Sequence, residues 1–131
     1  MTVIKAKSGN IFGGFTEQKW HSDGRFVTDP KAFIFSLVNK EENPFKVLCS
    51  NGGKLAIACD SRCGPCFGGE GNYFKDICIK TDSNFNNDNF SDFGYSFKHP
   101  DYDKNTAEAQ NILAGSYGFE TEEIEVFSKT N

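Results

Sequence analysis

Five cysteines, Cys49, Cys59, Cys63, Cys66 and Cys78, are the side chains here with the widest chemical reach. Cys59, Cys63 and Cys66 form a C-x3-C-x2-C run, with Cys49 and Cys78 flanking it in sequence. A structural zinc site needs four ligands, and Cys63-Gly64-Pro65-Cys66 supplies one pair of them. The second pair is missing, because Cys59 and Cys78 lie at the ends of different expected strands, where alternating side chains point into a core. The C-G-P-C run also has the form of a redox dithiol. That motif gains reactivity by opening a helix, which lowers the thiol pKa. Phe67-Gly68-Gly69 follows it here, and this is poor helix sequence. An odd count excludes complete internal disulfide pairing, so Cys63 and Cys66 are candidate redox thiols against a default of incidental free thiols in a tight turn.

Other constellations fall short of their chemistry. Asp82-Ser83-Asn84-Phe85-Asn86-Asn87-Asp88 spaces oxygen donors as a calcium loop does, but it has Asn87 at the glycine position and Phe93 where a bidentate Glu belongs. Asp101-Tyr102-Asp103-Lys104-Asn105 fails in the same way, with Ile112 in last place. The Gly64–Gly71 run could offer backbone N–H groups to a phosphate, yet it lacks the Lys-Ser/Thr ending of a P-loop. The two histidines, His21 and His99, join no nucleophile–base arrangement and read as surface residues. Glu120, Glu122, Glu123 and Glu125 make an acidic end that reads as a solvated face, with contact to a basic partner as the sharper alternative. No catalytic residue, cofactor or metal is expected.

The elements that must position these residues are short strands. The 131 residues suit one domain and include 14 Phe but 4 Leu and 1 Met, with 13 Gly. Aromatics favour pleated surfaces and Gly favours turns, so the bias predicts mainly β structure. The net charge of −4 argues against a nucleic-acid protein that relies on a basic surface. No run approaches the length of a membrane span and no leader is evident at Met1, so a cytoplasmic location without membrane insertion is expected.

Thr2–Lys7 alternates and meets Ile11–Phe15 through Ser8-Gly9-Asn10, with Gly13-Gly14 marking a bulge or a close backbone approach. Ala32–Val38 is nearly continuous apolar sequence and predicts a central strand buried on both faces. Phe45–Cys49 and Lys54–Cys59 flank Ser50-Asn51-Gly52-Gly53, a hairpin signal. Asp60–Tyr73 reads as a loop, Phe74–Lys80 as a strand, and Thr81–Lys104 as a long loop with one strand near Tyr95. Asn105–Ala114 predicts a short helix capped by Asn105 and stopped by Gly115. Ile124–Phe127 closes the chain as a strand. The sum is an antiparallel β-sandwich with a few short helices.

Several segments, taken in order, resemble the TLDc domain family. They are Ile11-Phe12-Gly13-Gly14-Phe15-Thr16 with Trp20; Lys31–Leu37; Gly64-Pro65-Cys66-Phe67-Gly68-Gly69; Asp76-Ile77-Cys78-Ile79; and Leu113-Ala114-Gly115-Ser116 leading to Glu123-Ile124-Glu125-Val126-Phe127. The resemblance implies a β-sandwich, a role in resistance to oxidative stress, and for several members binding to a vacuolar-type proton pump. It carries no catalytic residues. In the family a few dozen residues usually precede the Gly-Gly-Phe segment, so the resemblance implies a single TLDc-like domain over 1–131 that is truncated at its N-terminus. Glu70–Lys75 lengthens the loop between Phe-Gly-Gly and Asp-Ile.

The expected function is therefore a non-enzymatic interaction module that binds a protein partner, a proton-pump subunit being the family's example. The alternatives are a thiol-based redox protein using Cys63 and Cys66, and a carbohydrate- or ligand-binding sandwich using exposed Trp20, Tyr95 and Tyr102.

Overall fold

A computed structural model describes residues 1–20, 24–59, 63–70, 75–80 and 89–128. Two antiparallel sheets stack as a sandwich. The first contains β1 (Thr2–Ala6), β2 (Ile11–Phe15), β4 (Phe33–Val38), β5 (Phe45–Leu48) and β11 (Thr121–Val126), in the order β11-β1-β2-β4-β5. The second contains β3 (Phe26–Val27), β6 (Ile57–Ala58), β7 (Cys63–Phe67), β8 (Ile77–Lys80), β9 (Asn89–Ser91) and β10 (Gly118–Phe119), in the order β10-β9-β8-β7-β6-β3. Among the described residues one α-helix, α1 (Ala107–Ile112), packs beside them.

Between the sheets, Ile4, Phe12, Ile34, Ile57, Phe67, Ile77, Ile79 and Phe93 form the main core. The edge-on contact of Phe12 with Phe119, with ring centroids 5.5 Å apart, joins one sheet to the other. Phe45 stacks on Phe93 at 5.7 Å and on Tyr102 at 5.8 Å. Large flat rings thus do the filling that Leu does in helical cores, at the offset and T-shaped separations such rings favour.

The Ser8-Gly9-Asn10 turn joins β1 to β2 as a hairpin. Its side chains also finish the helix. Ser8 Oγ donates to the Ala114 carbonyl at 2.8 Å and Asn10 Nδ2 to the Leu113 carbonyl at 3.1 Å. These are carbonyls that a helix end leaves without an internal partner. Gly115, with φ +92°, stops α1 as expected. The cap is Thr106, whose Oγ1 accepts from the Ala109 N–H, and not Asn105. The last strand is longer than the sequence suggested, starting at Thr121.

Four expectations are corrected. First, β5 and β6 do not form a hairpin, since they belong to different sheets. Asn51–Gly53 is a turn of 3-10 helix that carries the chain across the sandwich. A Cβ on Gly53 would lie 2.3 Å from the Asp29 carbonyl carbon, so the turn is wedged against another loop. Second, β4 is central but not buried throughout: Ile34, Phe35 and Ser36 are buried, whereas Leu37 and Val38 are exposed. Third, the Gly- and Pro-containing stretch read as a loop contains β7, which pairs with both β6 and β8. Fourth, the strand embedded in Thr81–Lys104 is β9 at Asn89–Ser91 and not at Tyr95. The Asp82–Asp88 run, which falls short of a calcium loop, and His21 lie outside the described residues. His99 is half-buried and sits against Phe45, with ring centroids 4.9 Å apart.

Candidate functional site

Strand alternation gives the second sheet two apolar faces. Ile57, Phe67, Ile77 and Ile79 point into the sandwich, while Ala58, Cys66 and Cys78 form a separate cluster on the other face with Cys63, Phe26 and Phe90 around it. Cys66 and Cys78 stand directly opposite each other across β7 and β8, and Cys63 stands opposite Lys80. From Cys63 to Cys66 is three steps, and from Lys80 to Cys78 only two, so β7 carries one extra residue between its two cysteines. A regular strand would send residues three apart to opposite faces. The bulge reverses that alternation and returns Cys63 to the face of Cys66. Pro65 suits the position because it has no N–H to offer a ladder.

The result is a convergent trio of thiols. Cys66 Sγ lies 3.1 Å from Cys78 Sγ, and Cys78 Sγ 3.8 Å from Cys63 Sγ. All three sulfurs fall within 4.8 Å of one another. Cys66 and Cys78 are buried, while Cys63 is only partly covered. A hydrogen bond with Cys66 is the largest influence on Cys63. With the further bond to Cys78 and the nearby Lys80 ammonium it outweighs burial and lowers the Cys63 thiol to about 5. The same contacts push Cys66 upward, so the Cys63 thiolate sits beside a neutral Cys66. Burial opposes the charge on Lys80, but the charges of Cys78 and Cys63 raise its amine overall.

The other two cysteines are apart from this cluster. Cys59 is buried in the main core. Cys49 meets the Lys54 carbonyl at 3.6 Å, and burial raises its thiol to about 11. Sequence reasoning found Cys63 and Cys66 but placed them in a turn and sent Cys78 to the core. The Cys78–Lys80 pair on β8 could have been added only by knowing the register.

One prediction follows directly. With a pKa near 5, Cys63 is a thiolate at pH 6, where a thiol of pKa 9.0 is one part in about a thousand ionised. The lower basicity of the thiolate takes back much of that gain, with a Brønsted slope of about 0.45. The metal-free, reduced protein is expected to alkylate at Cys63 about tenfold faster than an ordinary thiol at pH 6. The rate should be flat from pH 6 to 8; iodoacetamide kinetics with peptide mapping would show it, and a rate rising through pH 8.5 would refute it.

The glycine- and aspartate-containing segments have a different use. Phe67 crosses from the second sheet to lie on Gly14 of the first; a Cβ on Gly14 would be 2.7 Å from the Phe67 ring. Trp20 meets the same ring edge-on at 5.4 Å. Beside it, Asp76 is fully buried and takes backbone N–H donors from Gly94 at 2.7 Å, Tyr95 at 2.8 Å and Ser96 at 2.8 Å. Phe97 N–H adds another, and burial still pushes the carboxyl up to about 7. Gly68 is the close approach that makes room, since its Cβ would fall 1.8 Å from Asp76 Oδ2. Ser96 Oγ ties the same loop to Gly69, accepting from its N–H at 3.1 Å, and donates to the Leu55 carbonyl at 2.9 Å.

A family model for the TLDc domain matches residues 1–129, nearly the whole chain. The chain belongs to the TLDc domain family. No curated protein matches it closely enough to count as a relative. Gly13, Gly14, Phe15, Trp20, Phe67, Gly68, Gly69, Asp76 and Gly115, on which the resemblance was read, all sit at strand contacts, sheet contacts or turns, so the structure uses them to build the sandwich. Gly64 and Pro65 form the β7 bulge. Glu123 and Glu125 lie exposed on the edge strand β11, where charge discourages pairing with another chain. Asp29, which the sequence reading did not single out, buries its carboxylate under the Thr16 hydroxyl at 2.6 Å and the Glu17 and Lys31 N–H groups at 2.9 and 3.0 Å.

The aromatic rings considered for a carbohydrate site are engaged in packing or hydrogen bonding. Tyr102 stacks on Phe45, and Tyr95 Oη lies 2.7 Å from Asn105 Oδ1. Among the described residues, no helix is long and apolar enough to cross a membrane.

Proposed function

We propose that this TLDc chain is a non-enzymatic interaction module serving resistance to oxidative stress through a protein partner, with a subunit of a vacuolar-type proton pump as the first candidate. Membership of the TLDc family carries the reading. An open groove of about 860 Å³ supports it, with exposed apolar side chains from Met1, Trp20, Val126 and Phe127 along its wall. Exposed apolar side chains clustered in this way mark partner surfaces more often than scattered ones do.

The test is affinity capture from lysate under reducing conditions, with the captured proteins identified by mass spectrometry. Proton-pump subunits are expected on this chain and not on an unrelated β-sandwich bait. Their absence from a bait shown to be folded by circular dichroism would overturn the pump assignment.

The thiol trio favours a second reading, a thiol-based redox role. The Cys63 thiolate attacks one oxygen of a peroxide, the O–O bond breaks, and the other oxygen leaves as hydroxide and takes a proton. The sulfenic acid so formed condenses with the Cys66 or Cys78 thiol, losing water and giving a disulfide, which a dithiol reductant reopens. Peroxide turnover that survives Cys63→Ser unchanged would remove this reading.

A further inference from the structure

We propose that Cys63, Cys66 and Cys78 form a binding site for one thiophilic d10 metal ion, zinc or copper(I). Geometry is the ground. Three ligands on an ion with bonds of about 2.3 Å and tetrahedral angles stand about 3.8 Å apart. The cluster has sulfur separations of 3.1 and 3.8 Å, with every pair inside 4.8 Å. Small side-chain rotations close that difference, whereas Cys49 and Cys59 are placed elsewhere by the fold.

The donor set selects the ion. Among the described residues the cluster holds three sulfurs and no carboxylate or imidazole donor. Calcium and magnesium require oxygen ligands, whereas thiolates select zinc and copper(I). Cys66 is 1% and Cys78 2% exposed, so the ion would sit against a largely dry face and displace the thiol protons as it binds.

The two ions use the trio differently. Copper(I) is satisfied by three thiolates in a plane. Zinc takes a fourth ligand, and the partly exposed Cys63 side is where solvent or a partner's side chain could supply it. The proposal is independent of the proton-pump reading, because its test involves no partner and no peroxide.

The experiment uses the full chain, stripped of metal by a chelator and kept reduced without oxygen. Cobalt(II), as a spectroscopic stand-in for zinc, should bind one equivalent and give an intense thiolate-to-metal charge-transfer band. Zinc should displace it in competition with a chromophoric chelator. Copper(I) is titrated separately against a copper(I) chelator. Zinc and cobalt binding would establish a four-coordinate site, and copper binding alone a three-coordinate one. Cys63→Ser should weaken binding by at least about a hundredfold, since even changes outside the ligand set cost about 10–100-fold. Cys49→Ser should leave it unchanged. Circular dichroism must show both variants folded; because Cys63 is the least buried of the three, its serine variant is the one expected to keep the fold. If the folded, fully reduced protein binds none of these ions, or if Cys63→Ser binds as tightly as the parent, the proposal is overturned.

Discussion

The Asp76→Ala protein is expected to lose more than about 4 kcal/mol of stability, enough to leave a domain of ordinary stability largely unfolded. The reason is local and countable. Asp76 has no exposed surface, and its two oxygens serve the N–H groups of Gly94, Tyr95 and Ser96 together with that of Phe97. Truncation leaves these donors in a dry site without partners, and each unsatisfied buried group costs about 1–3 kcal/mol. It also opens a void beneath Gly68, whose backbone approaches the carboxylate more closely than any side chain would allow. Urea denaturation followed by tryptophan fluorescence would measure the loss; a change below about 1 kcal/mol would mean that the loop 94–97 holds itself.

The pH dependence has a definite sign. Burial raises the Asp76 carboxyl to about 7 in the folded chain, from an ordinary value of 3.8. A raised acid binds its proton more tightly in the native state than in the unfolded one, so its contribution is fully present below the unfolded value and is lost as pH rises through about 7. Asp76→Asn, which mimics the protonated acid, should therefore narrow its stability gap to the parent between pH 4 and pH 8. A gap that widens over that range would contradict the assignment.

The second large effect is expected at Gly13, where Gly13→Ala should destabilise by about 3 kcal/mol, at the upper end for overpacking. A Cβ there would lie 1.9 Å from the Thr2 carbonyl oxygen and 2.9 Å from the Phe35 ring. The obstacle is backbone, pinned by the pairing of β1 with both β2 and β11, so the clash cannot be relieved by turning a side chain. Gly9→Ala is the control. It has a left-handed φ of +96° but nothing within 4 Å, so it should cost only the conformational penalty of about 1 kcal/mol. Thermal unfolding of the two variants side by side would separate close approach from backbone strain, and a loss at Gly13 no larger than that at Gly9 would contradict the close-approach reading.

Family membership, the β class and the outer elements could be read from the chain alone. The β1–β2 hairpin, α1 with its Gly115 stop, and the β11 strand depend on patterns that neighbouring residues carry themselves. Turn chemistry and side-chain period act over a few residues, so they survive translation from sequence to structure. The Gly13-Gly14 close approach belongs to the same group, since a pair of glycines in a strand asks for a neighbour without room for Cβ.

Other features were decided by partners distant in the chain. Ser50–Gly53 signals a reversal, but not which sheet receives the strand after it; contact with Asp29 and Pro30 sends β6 to the second sheet. Cys63–Phe67 has little strand propensity, yet β6 and β8 present two ladders that outweigh it. The thiol trio depends on the same event. Three-residue spacing places Cys63 and Cys66 on opposite faces of a regular strand, and Cys78 lies in another strand altogether. Only the register of β7 against β8, with one extra residue on β7, brings the three sulfurs together beside Lys80. Sequence alone determined which thiols the chain possesses; pairing between strands decided which of them could act as one site, because a shift of a single residue exchanges the faces of a sheet.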